Sequence, residues 1–486
     1  MGSGASPITR LPIRLAPDPS RVIARKFLPG DEDRIRRLIE RVLRLSDAQV
    51  EHMLAQLEQR FASRHRNAAE MVADHYDAVE PYVPQPHKPD VRRQLLIGSY
   101  FTMEYAIESA ALFNPSMVPA RDQTGLPTGS TRFAMSLRAT GEGHISSIVF
   151  RRGVLDADNN IDIEPASPYC RLLEVMDDAP QDKEIFRQKL IDMGMYGPHT
   201  EFVVNALKAQ FTIGELNRAI RDLRISPTDP AAVAEAAETM IWLARSNYQL
   251  LLPEDADVSE VVIFPHSETE SHGIEDARFV NFTDDDGSLY YYGTYTAYNG
   301  YRIMPQLFEI DEALRVKVST IHGRFAQNKG MALFPRKIDG KYTMIARLDN
   351  ENLFLMQSDQ LYSWNEAKRI QEPKYPWEFV QIGNCGSPLE TEAGWLLLTH
   401  GVGPMRQYGI GATLLSRDNP AEVIGQTREP LLEPEEDERS GYVPNVVYSC
   451  GGMIHHETLI IPYGMSDMCT GFAKARLQDV LALCRD

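Results

Sequence analysis

The chain has 486 residues, 43% apolar and 24% charged, an ordinary balance for a soluble globular protein and room for two or three domains or one large fold with insertions. Its net charge of −18 argues against a nucleic-acid partner, which would need a basic face, and no apolar run of about eighteen residues is present to span a membrane. The five cysteines are odd in number and not tightly spaced, which argues against a disulfide framework, and neither a CxxC pair nor an HExxH string offers a metal site. With no signal-length apolar core at the N-terminus, a cytoplasmic location is expected.

Residues 1–30 read as a flexible tail. A helical extension is expected over 31–112. Ile35, Leu38, Ile39, Val42 and Leu43 recur at helical spacing, and Ser46 with Gln49 forms a capping box before Leu54, Leu57 and Phe61. A proline-rich connector (80–90) precedes a third helix expected over 91–112. The texture turns to β over 113–153. A mostly helical insertion follows (154–259), then β again over 260–475 and a short C-terminal helix over 476–486. Amphipathic helices outside the β region must bury their apolar stripes, so a homodimer interface built from them is expected.

The β region repeats itself. FNPSMV with RFAMSLRA, EDARFVNFTDDDGSLYYYGTYTA, NKGMALFPRKIDGKYTMIARL, GNCGSPLETEAGWLLLTHGV and VPNVVYSCGGMIHHETLIIPYG each place an apolar strand, a turn and a further apolar or aromatic strand in series. Five such units suit an all-β core formed as a five-bladed β-propeller, with a β-sandwich as the rival reading. Unusual polar residues stand at the start of the units: Asn114, Ser116 and Arg138; Glu275, Asp276 and Arg278; Lys329 and Arg347; Asn384 and His400; Asn445 and Asp467. A shared central site explains their equivalent placement. Adjacent residues of an ideal strand point to opposite faces, so Glu275 and Asp276 cannot both face a ligand. An ion pair of Asp276 with Arg278 is the structural alternative to a catalytic role. Tyr290, Tyr291, Tyr292, Phe334, Trp364 and Trp395 read as packing residues, and Tyr295, Tyr298 and Tyr408 as candidates for stacking on a sugar.

GIEDARF, ALFPRKIDGKYTMIAR, ETEAGWLLLTHGV, IGATLLSRDNPAEVIGQTREPLL and YVPNVVYSCG, followed by YGMSD, resemble glycoside hydrolase family 130 over about 113–153 and 260–475. The resemblance implies a five-bladed propeller that cleaves β-mannosides, with Asp276 as proton donor. It implies phosphate binding by Lys329, Arg347, His400 and Arg138, and sugar contacts from Asn114, Ser116, Tyr408 and Asp467. Glu275, Tyr298 and Asn384 complete the expected substrate site. The implied activity is an inverting phosphorylase that uses inorganic phosphate as co-substrate, without a cofactor or metal, on manno-oligosaccharides, with β-1,2 linkage the favoured choice. A lysine that precedes Ile-Gly in many phosphorylases of the family is Gln381 here, which keeps an inverting β-mannosidase open. Such a hydrolase needs a second carboxylate as base, for which Glu268, Glu270 and Asp467 are candidates. A non-catalytic sugar-binding propeller is the third reading.

Overall fold

Alternating apolar residues fold the repeat units into antiparallel sheets. In the computed structural model, which describes residues 7–176, 178–223, 229–252, 256–301, 303–311 and 315–485, the described residues form five sheets of four or more strands. Parts of the expected tail (1–6), insertion (177, 224–228 and 253–255), second repeat (302 and 312–314) and C-terminal segment (486) lie outside the described residues.

The first sheet starts from Ala111–Pro119 and continues through Thr131–Thr140, Ser146–Leu155 and Val261–Ile263. The second starts from Ile274–Thr283 and runs outward through Leu289–Tyr298, Ile303–Ile310 and Arg315–Thr320 to Tyr248–Leu251 and Glu174–Val175. The third is Lys329–Leu333, Tyr342–Arg347, Leu353–Ser358 and Glu366–Gln371. The fourth is Gln381–Asn384, Gly394–Val402, Tyr408–Leu415 and Val423–Gln426. The fifth is Val447–Tyr448, Thr458–Met465 and Cys469–Arg476, closed on its outer side by Thr9–Leu15.

Backbone groups tie the sheets in sequence. Phe279 N–H donates to Ser116 Oγ (3.0 Å) between the first and second, and Thr283 N–H to Pro335 O (2.9 Å) between the second and third. Ile382 N–H donates to Glu351 O (2.9 Å), Tyr408 N–H to Asn445 O (3.0 Å) and Cys450 N–H to Pro115 O (2.8 Å), the last joining fifth to first. The aromatics assigned to packing do pack: Trp364, Trp395 and Phe334 are fully buried.

The expected flexible tail is corrected by these pairings. Leu11, Ile13 and Leu15 alternate at strand period and pack on the core beneath the first sheet, and their strand pairs through the main chain with Cys469–Arg476 across a register slip between Leu11 and Arg14. Val22–Lys26 pairs with Thr102–Ala106.

Helices α1 (Glu32–Leu43), α2 (Asp47–Phe61), α3 (Ala68–Asp77) and α4 (Val91–Tyr100) share a small core of Ile35, Ile39, Val50, Leu96, Ile97 and Phe101. The Ser46–Gln49 capping box starts α2. The third predicted helix ends at Tyr100 rather than 112, because TMEYA leaves it to pair as a strand and Ala111–Pro119 opens the first sheet. Helices α5 (Lys183–Asp192), α6 (Pro198–Ala206), α7 (Ile213–Leu223) and α8 (Pro230–Arg245) bury Phe186, Leu190, Val204, Leu216, Ala237 and Met240 against one another. Lys189 Nζ fixes this bundle to the second sheet through Ile321 O (2.7 Å). Helix α9 (Leu477–Arg485) ends the chain; among the described residues no helix is long and apolar enough to cross a membrane.

Candidate active site

The first strands of three successive sheets carry the same irregularity. Register slips between Phe113 and Ser116, between Glu275 and Arg278, and between Lys329 and Ala332. Asn114 (φ 50°) and Asp276 (φ 52°) sit at the first two slips in left-handed conformation, which Asn and Asp tolerate better than most residues. The bulges swing the two side chains together, and Asn114 Nδ2 donates to Asp276 Oδ1 at 2.8 Å. The strict alternation assumed for Glu275 and Asp276 fails for this reason. Both carboxylates reach one guanidinium, with Arg138 Nη2 donating to Glu275 Oε1 (2.9 Å) and Nη1 lying 3.4 Å from Asp276 Oδ1. Lys329 Nζ takes the other Glu275 oxygen at 2.7 Å.

Arg278 joins this cluster to a second. Its Nη1 donates to the Asp276 carbonyl (2.8 Å), its Nη2 to Tyr448 Oη (2.6 Å), and it stands 3.9 Å from Asp276 Oδ2. The Tyr448 ring lies 4.7 Å from that of His400, which faces Tyr408 at 6.1 Å. Arg347 Nη1 is 3.5 Å from His400 Nε2, and Arg347 is the direct register partner of Lys329. Gly383 lies under the imidazole, where a Cβ would stand 2.4 Å from a ring carbon.

The charges perturb one another strongly. Burial pushes the Asp276 carboxyl up, but Arg138, Arg278, Lys329 and the Asn114 amide together hold it below the usual carboxylate range. Asp467 moves the other way: burial and the negative charge of Asp276 raise its carboxyl to about 6. Burial, then Arg347 and Arg278, keep His400 neutral by driving its imidazole well below the ordinary value. Buried polar atoms without a protein partner among the described residues include Arg278 Nε, Arg347 Nε, Gln381 Nε2 and Asn384 Oδ1. Such atoms collect where a polar ligand would complete the bonding.

The family described as beta-1,4-mannooligosaccharide phosphorylase, glycoside hydrolase family 130, matches residues 243–486, half of the chain. The chain belongs to glycoside hydrolase family 130. It is 35% identical over 228 residues to a 1,2-beta-oligomannan phosphorylase of Thermoanaerobacter sp., spanning 45% of this chain and 73% of that protein. It is 28% identical over 228 residues to a beta-1,2-mannobiose phosphorylase of Listeria innocua, 45% of this chain and 62% of the relative. A beta-1,4-mannooligosaccharide phosphorylase of Ruminococcus albus is 34% identical over 166 residues, 32% of this chain and 50% of that one. Among solved structures, the Listeria innocua beta-1,2-mannobiose phosphorylase in complex with beta-1,2-mannobiose aligns with a TM-score of 0.47 at 19% identity, over 78% of this chain and 93% of that one.

In this family-130 chain, Asn114, Arg138, Glu275, Asp276 and Lys329 stand in one bonded cluster. Arg347, His400 and Tyr408 form another beside it. Asn384 is buried in the fourth sheet's first strand, and Asp467 feels the charges of Asp276, Arg138 and Glu275. Ser116 is fully buried, with its hydroxyl occupied by Phe279 N–H, so it works as a joint between sheets. Tyr298 is half-buried and donates to Gly300 O (2.8 Å). Tyr295, read as a stacking candidate, is a core residue: it is buried, stacks on Phe308 at 4.2 Å and donates to Glu270 Oε1 at 2.6 Å. Glu270 is likewise unsuited to act as a base, being fully buried and holding Tyr248, Tyr295 and Ser267. Glu268 lines a separate cavity. Arg278 and Tyr448 are the residues sequence reading undervalued. Arg278 was visible as a polar residue of the second unit and as an ion-pair partner of Asp276 but was given no role in the site, and no periodicity marks Tyr448 as reaching it from the fifth sheet.

Proposed function

We propose that this protein is an inverting glycoside phosphorylase that cleaves β-mannosides, manno-oligosaccharides in particular, with inorganic phosphate as co-substrate. The observation that carries the reading is Asp276, a strained carboxylate among Arg138, Arg278 and Lys329, with Arg347 opposite Lys329, in a chain of net charge −18. Such a concentration of cations suits an oxyanion ligand bound beside one proton-carrying group.

In the reaction the glycosidic C1–O bond breaks as a phosphate oxygen bonds to C1 from the opposite face, inverting the configuration to mannose 1-phosphate. The proton lost from the phosphate as the ester forms restores Asp276. Asp276 passes a proton to the departing oxygen, directly or through a sugar hydroxyl. Phosphate is itself the nucleophile, so a single carboxylate suffices. Lys329, Arg347, His400 and Arg138 hold the phosphate, and the amide of Gln381 contributes a neutral donor where a lysine is common. Asn114, Glu275, Asn384, Tyr298, Tyr408 and Asp467 bind sugar, and Ser116 ties the strand of Asn114 to that of Asp276 through Phe279 N–H. The relatives named as 1,2-beta-oligomannan and beta-1,2-mannobiose phosphorylases favour the β-1,2 linkage.

The five sheets, tied first to fifth, are read here as the blades of a five-bladed β-propeller around this site. The reduced state of the five cysteines accords with the cytoplasm, and the accessory helices with a homodimer. The runner-up is a β-mannosidase with Asp467 as base, favoured by its proximity in charge to Asp276 and by Gln381. Incubating the protein with β-mannosides, with and without phosphate, decides the matter. Mannose 1-phosphate formed only with phosphate supports the phosphorylase; free mannose at a phosphate-independent rate replaces it with the hydrolase.

A further inference from the structure

A cavity of 1310 Å³ opens between the helical insertion and the segment that leads into the strand of Asp276. It exceeds the roughly 300–1,000 Å³ of an ordinary small-molecule site and suits an extended ligand. One wall is the side of α8 left over from its packing. Ala236, Ala237, Met240 and Leu243 face the bundle core, Glu235, Glu238 and Arg245 line the cavity, and Trp242, packed in part against that core, shares the lining. The opposite wall presents His266 and Glu268. Among the described residues, no hydrogen bond or ion pair engages these six side chains.

The second wall is continuous with the catalytic strand. His266 and Ser267 N–H both donate to Glu270 Oε2 (3.0 Å each), Gly273 N–H to Glu270 O (2.7 Å), and His272 N–H to Tyr298 O (2.9 Å). Buried Glu270, held also by Tyr248 and Tyr295, makes the run from His266 to Asp276 a fixed frame rather than a loose loop. His266 on the cavity wall and Asp276 therefore stand ten positions apart on one braced run of backbone.

We propose that this cavity receives the remote sugar units of a longer β-mannoside chain whose terminal linkage lies at Asp276. The inference rests on the function proposed above and adds to it a chain-length preference built by the insertion. The lining chemistry selects the ligand. Glu235, Glu238 and Glu268 against Arg245 repel an anion, whereas free carboxylates and a guanidinium are good partners for neutral sugar hydroxyls. The half-buried Trp242 offers an apolar face to the C–H side of a pyranose.

The test compares a disaccharide with β-mannosides of five or more units, using the full-length protein, phosphate and a mannose 1-phosphate assay. Trp242→Ala should lower kcat/KM on the long chains by about two- to tenfold and leave the disaccharide unchanged. Glu238→Gln, on the exposed side of α8, should move in the same sense without risk to the fold. Equal effects on all lengths, or none from either variant, overturn the inference while leaving the phosphorylase standing. If wild-type protein turns over no β-mannoside of any length, the proposed function falls and this inference falls with it.

Discussion

Replacing Asp276 by Asn tests the site at its centre. The substitution keeps the shape and the contact with Asn114 at 2.8 Å while removing both the proton and the charge facing Arg138 and Arg278. Loss of general-acid assistance is worth about 10²–10⁴-fold in rate, so kcat on a natural disaccharide should fall by at least two orders of magnitude. Sugar affinity should change far less. Stability should fall too, because Asn114 and Arg138 then donate to a neutral amide oxygen instead of a carboxylate; a hydrogen bond to a charged group is worth roughly 1.5–3 kcal/mol. The pH dependence has a definite sign. A carboxyl lowered in the folded state contributes stability above its unfolded value, taken as 3.8, and that contribution is lost as pH falls through the still lower folded value. The deficit of Asp276→Asn should therefore be constant at neutral pH and shrink below pH 3.8. Initial rates and denaturant unfolding at several pH values read both effects. Near wild-type turnover by a folded variant would refute the assignment of Asp276.

Lys329→Ala and Arg347→Ala should each raise the phosphate KM about ten- to a hundredfold, since each removes one charge-assisted contact; an unchanged phosphate KM in both would remove the phosphate from this pair. Tyr295→Phe should cost roughly 1.5–3 kcal/mol in denaturant unfolding by taking one hydrogen bond from buried Glu270, with little change in sugar binding; a large KM effect without destabilisation would return Tyr295 to the substrate site. Light scattering at micromolar concentration should give twice the 54.8 kDa chain mass, and a monomer mass would contradict the homodimer.

Much of the architecture was legible because its units obey simple periods. The first two helices and the Ser46 cap follow from spacing, and the strands of the repeats from apolar and aromatic runs set between turns. What stayed hidden depends on contacts far apart in sequence. Thr9–Leu15 carries an alternation too short to trust until Cys469–Arg476 supplies a partner some 460 residues away. Val91–Tyr100 ends where tertiary pairing of Thr102–Ala106 overrides a helical composition. The polar residues of the site were visible, but their mutual geometry was not. Period-two reasoning set Glu275 and Asp276 back to back, and a bulge with a left-handed Asp brought both to Arg138.

On the proposed function, a carboxyl held low serves as an acid only when the charges around it change. In the arrangement described, Asp276 answers to Arg138, Arg278 and Lys329, and these cations favour its ionised form. A doubly charged phosphate placed among Arg138, Lys329 and Arg347 cancels much of that field and adds a negative charge of its own, and both changes raise the Asp276 carboxyl. Its readiness to carry a proton then depends on arrival of the nucleophile. Arg278 stays in place because its grip is on the Asp276 carbonyl and on Tyr448 rather than on any ligand. Arg278 thus holds the backbone of Asp276 and, with Arg138 and Lys329, also favours the ionised side chain. On this reasoning a neutral Gln381 is consistent with phosphorolysis: the charge that matters to the proton is already supplied by the three cations around Asp276, and an amide at Gln381 need only donate a hydrogen bond.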